Sequence, residues 1–148
     1  MSIDDALHGT TRLFIDTAPL IYLIERHPVY FPVVQEVARR IDGGALAACS
    51  SVITLTEVLT LPLRLGRADI AAQYRQILMG SRRLELAPIT PAIAEVAAEI
   101  RARYNLRTPD AIQVATAQVY QCEALLTNDD SLKRVVELNI VLISDLAN

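Results

Sequence analysis

The sequence is poor in the residues that mark several large classes of protein. It has no tryptophan, a single lysine (Lys133), and only two cysteines, Cys49 and Cys122. The cysteines form no CxxC pair and have no histidine at zinc-site spacing, which argues against a zinc site and against a disulfide framework. We expect both thiols to be reduced and buried.

Long hydrophobic runs are also missing. Although 52% of the residues are hydrophobic, Arg, Glu or Pro interrupts each run before it reaches the ~18–20 residues of a membrane helix. The segment Met1–Asp5 has neither the basic nor the apolar region of a signal peptide. The apolar excess fits strands that are buried on both faces. We therefore expect a single cytoplasmic domain over residues 1–148.

Basic charge is scarce as well. The net charge of −3 argues against binding to nucleic acid through a broadly basic surface. Nearly all of the positive charge is arginine, a residue that favours planar, bidentate contacts with phosphate.

Short apolar runs alternate with segments of helical periodicity along the chain. Strands are expected at 12–15, 45–50, 84–88, 124–127 and 140–143, and helices at 18–25, 32–41, 51–61, 67–79, 91–104, 108–119 and 131–137. Thr90-Pro91 and Thr108-Pro109 mark two of the helix starts. This alternation predicts βαβ crossovers, a mainly parallel sheet and an α/β fold with three layers, α/β/α.

Four acids lie where such a fold gathers side chains at one edge of the sheet. Asp16 and Asp129 follow apolar strands, Asp110 is in the first turn of a helix, and Glu57 is about two turns into another. Ligands of these folds bind beyond the carboxyl ends of the strands. Two carboxylates about 4 Å apart repel each other by about 4 kcal/mol at an effective dielectric near 20. We therefore expect a cation between them, and at least one raised pKa without it.

The chemistry of the four side chains indicates which cation. Carboxylates without histidine or cysteine suit Mg²⁺ or Mn²⁺ and do not suit zinc. Such an ion can activate a water and offset charge on a phosphodiester.

Each acid also has a purely structural explanation. Asp16 could cap the following helix, and the helix dipole favours Asp110 in a first turn. Glu57 could be a solvent-facing charge, and Asp129 and Asp130 could be turn residues. The order and spacing of the acids among the strands favour the functional interpretation.

The segments that carry the acids resemble the PIN-domain nucleases, and most closely the VapC-type toxins of bacterial toxin–antitoxin pairs. They read D-T-A-P-L-I-Y-L from Asp16, T-E-V-L around Glu57, T-P-D-A-I-Q-V-A-T-A around Asp110, and L-T-N-D-D ending at Asp130. The resemblance covers residues 13–143.

The resemblance implies a Mg²⁺- or Mn²⁺-dependent endoribonuclease that a cognate antitoxin restrains. It assigns metal binding and catalysis to Asp16, Glu57 and Asp110, and to Asp129 as a fourth acid. In the family the last motif usually continues with a basic residue and an aromatic. Here it continues Asp130-Ser131-Leu132, so Asp129 and Asp130 remain alternatives for the fourth acid.

Three neighbours of the acids are expected to support them. By the same resemblance, the hydroxyls of Thr17 and Thr127 brace the acids or a bound water, and Asn128 lies beside them. Arg107 and Arg103 could grip RNA phosphates at the rim of the site, with a solvated surface as the alternative.

Aliphatic residues in the third and fourth helices exceed what one small core needs. Core packing is one explanation, and a homodimer, which the resemblance implies, is the other. Leu55, Leu59, Leu61, Leu63, Leu65, Ile77 and Leu78 form this set. The alternative to an enzyme is a PIN-like module that binds RNA or a protein without cleavage, although a pure binding module gains nothing from confined like charges.

Overall fold

The computed structural model describes residues 1–147. Within them, five parallel strands form one sheet in the order β3–β2–β1–β4–β5. The strands are β1 (Arg12–Ile15), β2 (Ala47–Ser51), β3 (Leu84–Ala87), β4 (Ala124–Thr127) and β5 (Asn139–Leu142).

Helices cover both faces of the sheet. They are α1 (Ile3–Ala6), α2 (Thr17–Ile24), α3 (Phe31–Asp42), α4 (Val52–Arg64), α5 (Ala68–Met79), α6 (Pro91–Tyr104) and α7 (Thr108–Val119), with 3₁₀ helices at Asp130–Arg134 and Ile143–Asp145. Because side chains alternate along a strand, Leu13 and Ile15 of β1 enter a core with α2, α3 and α5. Phe14 enters a second core with α6 and α7. The predicted three-layer α/β/α architecture is confirmed.

The central position of β1 determines where a site can form. Leu13 pairs with Ala48 of β2 on one side and with Ala124 of β4 on the other. The chain adds β2 and β3 on one side of β1, and later adds β4 and β5 on the opposite side. This reversal opens a crevice at the carboxyl ends of β1 and β4, the position at which ligands of such sheets bind.

Two helix predictions were wrong in extent. Helix α4 continues past the buried Pro62 to Arg64. Proline removes one backbone donor, but the Leu65 N–H still bonds the carbonyl of Leu61 at 3.0 Å, so the helix survives. The helix expected at 131–137 is a five-residue 3₁₀ helix.

The remaining differences are small. Strand β2 begins at residue 47 and β5 at residue 139. Helix α1 was not predicted, although its capping box of Ser2 and Asp5 is a recognised helix start. Cys49 and Cys122 are free and buried. Among residues 1–147, no helix combines the length and the apolar character needed to cross a membrane.

Candidate metal and active site

Asp16 follows β1 directly and occupies the N-cap position of α2. In place of a capping bond, its carboxylate binds two other elements. Its Oδ2 accepts from the Thr127 hydroxyl at the end of β4 at 2.7 Å. Its Oδ1 accepts from Nε2 of Gln113 on α7 at 3.1 Å. The side chain therefore joins β1, β4 and α7, and simple helix capping does not explain it.

The environment of Asp16 alters its protonation. Burial raises the pKa of this carboxyl above its ordinary value, and the charge of Asp110 adds to the increase. Hydrogen bonds from Thr127 and Gln113 act in the opposite direction because they favour the carboxylate. The net result is a raised pKa, as expected for the group, but burial is a larger cause than repulsion between acids.

Thr127 connects Asp16 to the fourth acid. Its buried hydroxyl donates to Asp16 and accepts from the backbone N–H of Asp129 at 3.0 Å. The Asp129 carboxylate accepts from the Ser131 N–H at 3.0 Å and so caps the 3₁₀ helix. Asp130 is exposed in the first turn of that helix. Asp129 thus has the structural role expected of a turn residue and is also bonded to the partner of Asp16.

Glu57 is anchored to the residue that follows Asp16. It lies on α4 and is exposed, but its Oε1 accepts from the Thr17 hydroxyl at 2.6 Å. The interpretation of Glu57 as a plain solvent-facing charge is therefore incomplete, since the bond fixes its direction relative to β1.

Asp110 and Arg107 form an ion pair at the start of α7. The two side chains are 17% and 77% exposed, and Nε of Arg107 lies 3.2 Å from Oδ2 of Asp110. This bond raises the pKa of Arg107, and the charges of Asp129 and Glu57 raise it further. One exposed guanidinium therefore lies within the electrostatic influence of three acids. Together with the contacts of Asp16, this gathers all four acids at one edge of the sheet, and we call them the acid site.

Gln113 and Thr54 were missed by sequence reasoning. Gln113 is 2% exposed, and its Nε2 donates to Asp16 and to the Thr54 hydroxyl, the latter at 2.7 Å. Within residues 1–147 its buried Oε1 has no hydrogen-bond partner, a deficit of about 1–3 kcal/mol. The sequence did contain a pattern that could have predicted Gln113. This polar residue lies one helical turn after Asp110 in an otherwise apolar stretch, and residues at that spacing share a helix face.

Two other residues that were predicted to belong to the site bind side chains or backbone outside the four acids. Asn128 donates to the Tyr22 hydroxyl and accepts from the Ser144 N–H, both at 3.1 Å, so it braces the loop after β4. Arg103 pairs with Glu137 at 3.2 Å.

The donor set fits a hard divalent cation. It consists of four carboxylates with the hydroxyls of Thr17 and Thr127, which suits Mg²⁺ or Mn²⁺. Within residues 1–147, however, no three Asp, Glu, His or Cys side chains lie close enough to form a ready-made metal site. The acids share one edge of the sheet without already being arranged as ligands of one ion.

An open apolar groove runs beside the acid site between α2, α3 and α5. Its volume is about 750 Å³. Its lining includes Ile15, the residue before Asp16, and Pro19 in the first turn of α2, together with aliphatic side chains such as Leu23, Val37 and Ile77.

Comparison with protein families tests the family resemblance that the sequence motifs indicated. The family described as "PIN domain" matches residues 13–138. The chain belongs to the PIN domain family. Its match spans β1 to the approach to β5 and includes all four acids. A search of curated protein sequences finds no match.

Solved structures with the same PIN fold come from bacterial toxin–antitoxin systems. A toxin–antitoxin complex from Klebsiella pneumoniae has 24% identity and a TM-score of 0.66, covering 88% of this chain and 97% of that one. VapBC2 from Rickettsia felis, bound to a promoter DNA fragment, has 17% identity and a TM-score of 0.70, covering 89% and 98%. Mycobacterium tuberculosis VapC20, a sarcin–ricin loop cleaving toxin, has 20% identity and a TM-score of 0.66, covering 85% and 98%. The resemblance to VapC-type proteins is thus confirmed for the fold.

Proposed function

We propose that this PIN-domain protein is a Mg²⁺- or Mn²⁺-dependent endoribonuclease of the cytoplasm and the toxin of a toxin–antitoxin pair. The observation that carries the proposal is the bonding of Asp16. Its carboxylate sits where the strand order reverses, and β4 and α7 both donate to it. VapC20, which shares the fold, is described as a sarcin–ricin loop cleaving toxin.

Each residue of the site would have a distinct role in binding the cation or the RNA. Asp16, Glu57, Asp110 and Asp129 would hold the cation, which when bound supplies a water of lowered pKa and offsets charge on the phosphodiester. Thr127 and Thr17 hold two of these carboxylates in place. Arg107, exposed at the rim, exchanges its bond to Asp110 for a phosphate oxygen of the RNA.

Asp129 is our choice for the fourth acid. Its backbone N–H binds the same Thr127 hydroxyl that donates to Asp16, whereas Asp130 lies one residue further along the exposed 3₁₀ helix.

The first test removes one ligand charge. Purified protein is incubated with total RNA, with and without Mg²⁺, and new RNA ends are mapped. We expect the cleavage rate of Asp16→Asn to fall by at least about 100-fold, because losing a mere partner behind a metal ligand already costs about 10–100-fold. Asp69→Asn, an exposed acid paired with Arg67, should cleave like the parent. Undiminished Mg²⁺-dependent cleavage by Asp16→Asn would exclude that residue from the mechanism.

A module that binds RNA or protein without cutting is the second candidate. It is favoured by the lack of a ready-made three-ligand cluster within residues 1–147. RNA binding by the parent with no new ends in either Mg²⁺ or Mn²⁺ would establish it in place of the nuclease.

The apolar groove is our candidate for the antitoxin contact. Several structures of the same fold are toxin–antitoxin complexes, including VapBC from Salmonella typhimurium. An aliphatic antitoxin segment in the groove would reach Ile15 and Pro19 and so approach Asp16. A short reading frame for a DNA-binding protein immediately upstream would identify the partner to co-express.

A homodimer completes the proposal. Leu61, Leu63 and Leu65 at the end of α4 are 52%, 56% and 64% exposed, more apolar surface than a solvated helix end needs. Leu78, by contrast, is 1% exposed and belongs to the core. Light scattering should give twice the chain mass, and a monomer mass at every concentration would contradict the dimer.

A further inference from the structure

Gln113 is the buried point at which three acid-bearing elements meet. Its Nε2 binds Asp16 after β1 and Thr54 on α4. Asp110 lies three residues before Gln113 on α7, and Glu57 lies three residues after Thr54 on α4. Residues three apart share a helix face, so each of these acids lies one turn from an end of the Gln113–Thr54 bond.

The amide of Gln113 can face Asp16 in one orientation only. An ionised carboxylate accepts hydrogen bonds and cannot donate them, whereas the Thr54 hydroxyl can do either. Nε2 uses its two protons on these two partners. Turning the amide would bring its oxygen against the Asp16 carboxylate. The Gln113 amide has this orientation even though its Oε1 is then buried without a hydrogen-bond partner within residues 1–147.

We propose that Gln113 is a positioning residue that sets the distance of Asp16 from the acids of α4 and α7, and thereby the affinity of the protein for a divalent cation. The inference rests on the proposed function. Gln113 acts through Asp16 and Thr54 and itself touches neither RNA nor the reacting phosphate.

The test replaces the amide without changing the space it fills. Gln113→Met keeps nearly the same length and volume and removes both hydrogen bonds. The matched control is Thr116→Val, which removes a buried hydroxyl one turn further along α7 that binds the Ile112 carbonyl at 2.6 Å. Mn²⁺ binding is measured on RNA-free protein by electron paramagnetic resonance. Cleavage kinetics and thermal unfolding in EDTA are recorded for the same samples.

We expect Gln113→Met to raise the Kd for Mn²⁺ by about 10–100-fold, the usual effect of losing a partner behind a metal ligand. The kcat should fall at subsaturating Mn²⁺ and recover as Mn²⁺ is raised, with an unchanged KM for RNA. The Tm in EDTA should stay within a few degrees of the parent, and Thr116→Val should bind Mn²⁺ normally. A purely structural role would move the Tm and leave the Mn²⁺ affinity of the folded protein unchanged.

A second variant covers the case in which Gln113→Met does not fold. Thr54→Val removes the α4 contact of the amide and leaves its bond to Asp16, so we expect a smaller increase in the Mn²⁺ Kd. Parental Mn²⁺ affinity in the folded variants, or an equal loss in Thr116→Val, would overturn the inference while leaving the nuclease intact. A parent that neither binds Mn²⁺ nor cleaves RNA would refute the proposed function and this inference with it.

Discussion

At Asp16, burial and hydrogen bonding act on one carboxyl in opposite directions, and burial has the larger effect. The folded protein therefore binds a proton there more tightly than the unfolded chain, whose pKa is near the ordinary value of 3.8. Between the two pKa values stability falls as pH rises. Ionised Asp16 thus destabilises the metal-free protein at neutral pH.

Asp16→Asn should reverse this effect. In EDTA at neutral pH we expect the variant to unfold at a higher temperature than the parent, because no buried charge remains. The difference should shrink as pH falls through the folded-state pKa and disappear below the ordinary value of 3.8, where the parent carboxyl is protonated in both states. Thermal unfolding followed by circular dichroism over this pH range measures both the difference in Tm at neutral pH and its decrease at low pH. A pH-independent difference would mean that ionisation of Asp16 is not its cause.

Arg107 offers a second measurement on a single side chain. Exposed ion pairs contribute between 0 and about 1 kcal/mol, so Arg107→Gln should leave the Tm almost unchanged. The KM for RNA should rise by about 10-fold if the guanidinium binds phosphate, and Mn²⁺ should bind more tightly without it. Arg103→Gln is the matched control because its partner is Glu137. Equal KM values for the two variants would contradict the role given to Arg107.

Among the helices, α6 is the one whose start is most clearly defined by its sequence. The Thr90 hydroxyl accepts from the Ile93 N–H at 3.2 Å, and Pro91 follows it. Thr90→Ala should cost about 1 kcal/mol, lowering the Tm by about 2–4 °C. Thr90→Ser should retain most of the parental Tm, and Mn²⁺ affinity should not change in either variant. A Tm for Thr90→Ala equal to that of the parent would show that the cap contributes nothing.

The same local signals explain how far the elements could be predicted. Strands β1 and β4 and helix α7 have their predicted bounds because apolar runs and Pro-marked starts are local features. Helix α4 is longer than predicted. The sequence places its end near Pro62, but burial of that proline, a tertiary effect, is not visible in the local sequence. Asp16 and Asp129 were predicted from their positions after strands, and Asp110 and Glu57 from their positions in helices. The bond from Gln113 to Asp16, however, joins residues 97 positions apart. No local spacing encodes such a contact.

For the molecule as a whole, the proposed antitoxin contact in the groove between α2, α3 and α5 can be tested separately from the proposed cleavage. Ala72 is exposed on α5 and lines the groove. Ala72→Glu should abolish co-purification of the antitoxin because a charge would enter the apolar contact, while cleavage by the isolated protein stays within about two-fold. Ala94→Glu, an exposed substitution on α6, should bind the antitoxin normally. Loss of binding in both variants would place the contact elsewhere.

The strand order also constrains when the protein can become active during its own synthesis. Asp16 leaves the ribosome early, but the hydroxyl that holds it belongs to Thr127 at the end of β4. A nascent chain lacking β4 has three of the four acids and an unpaired edge on β1. Translation must therefore pass residue 127 before the acid site can close, so under the proposed function the truncated products of a stalled ribosome would leave the cell's RNA intact.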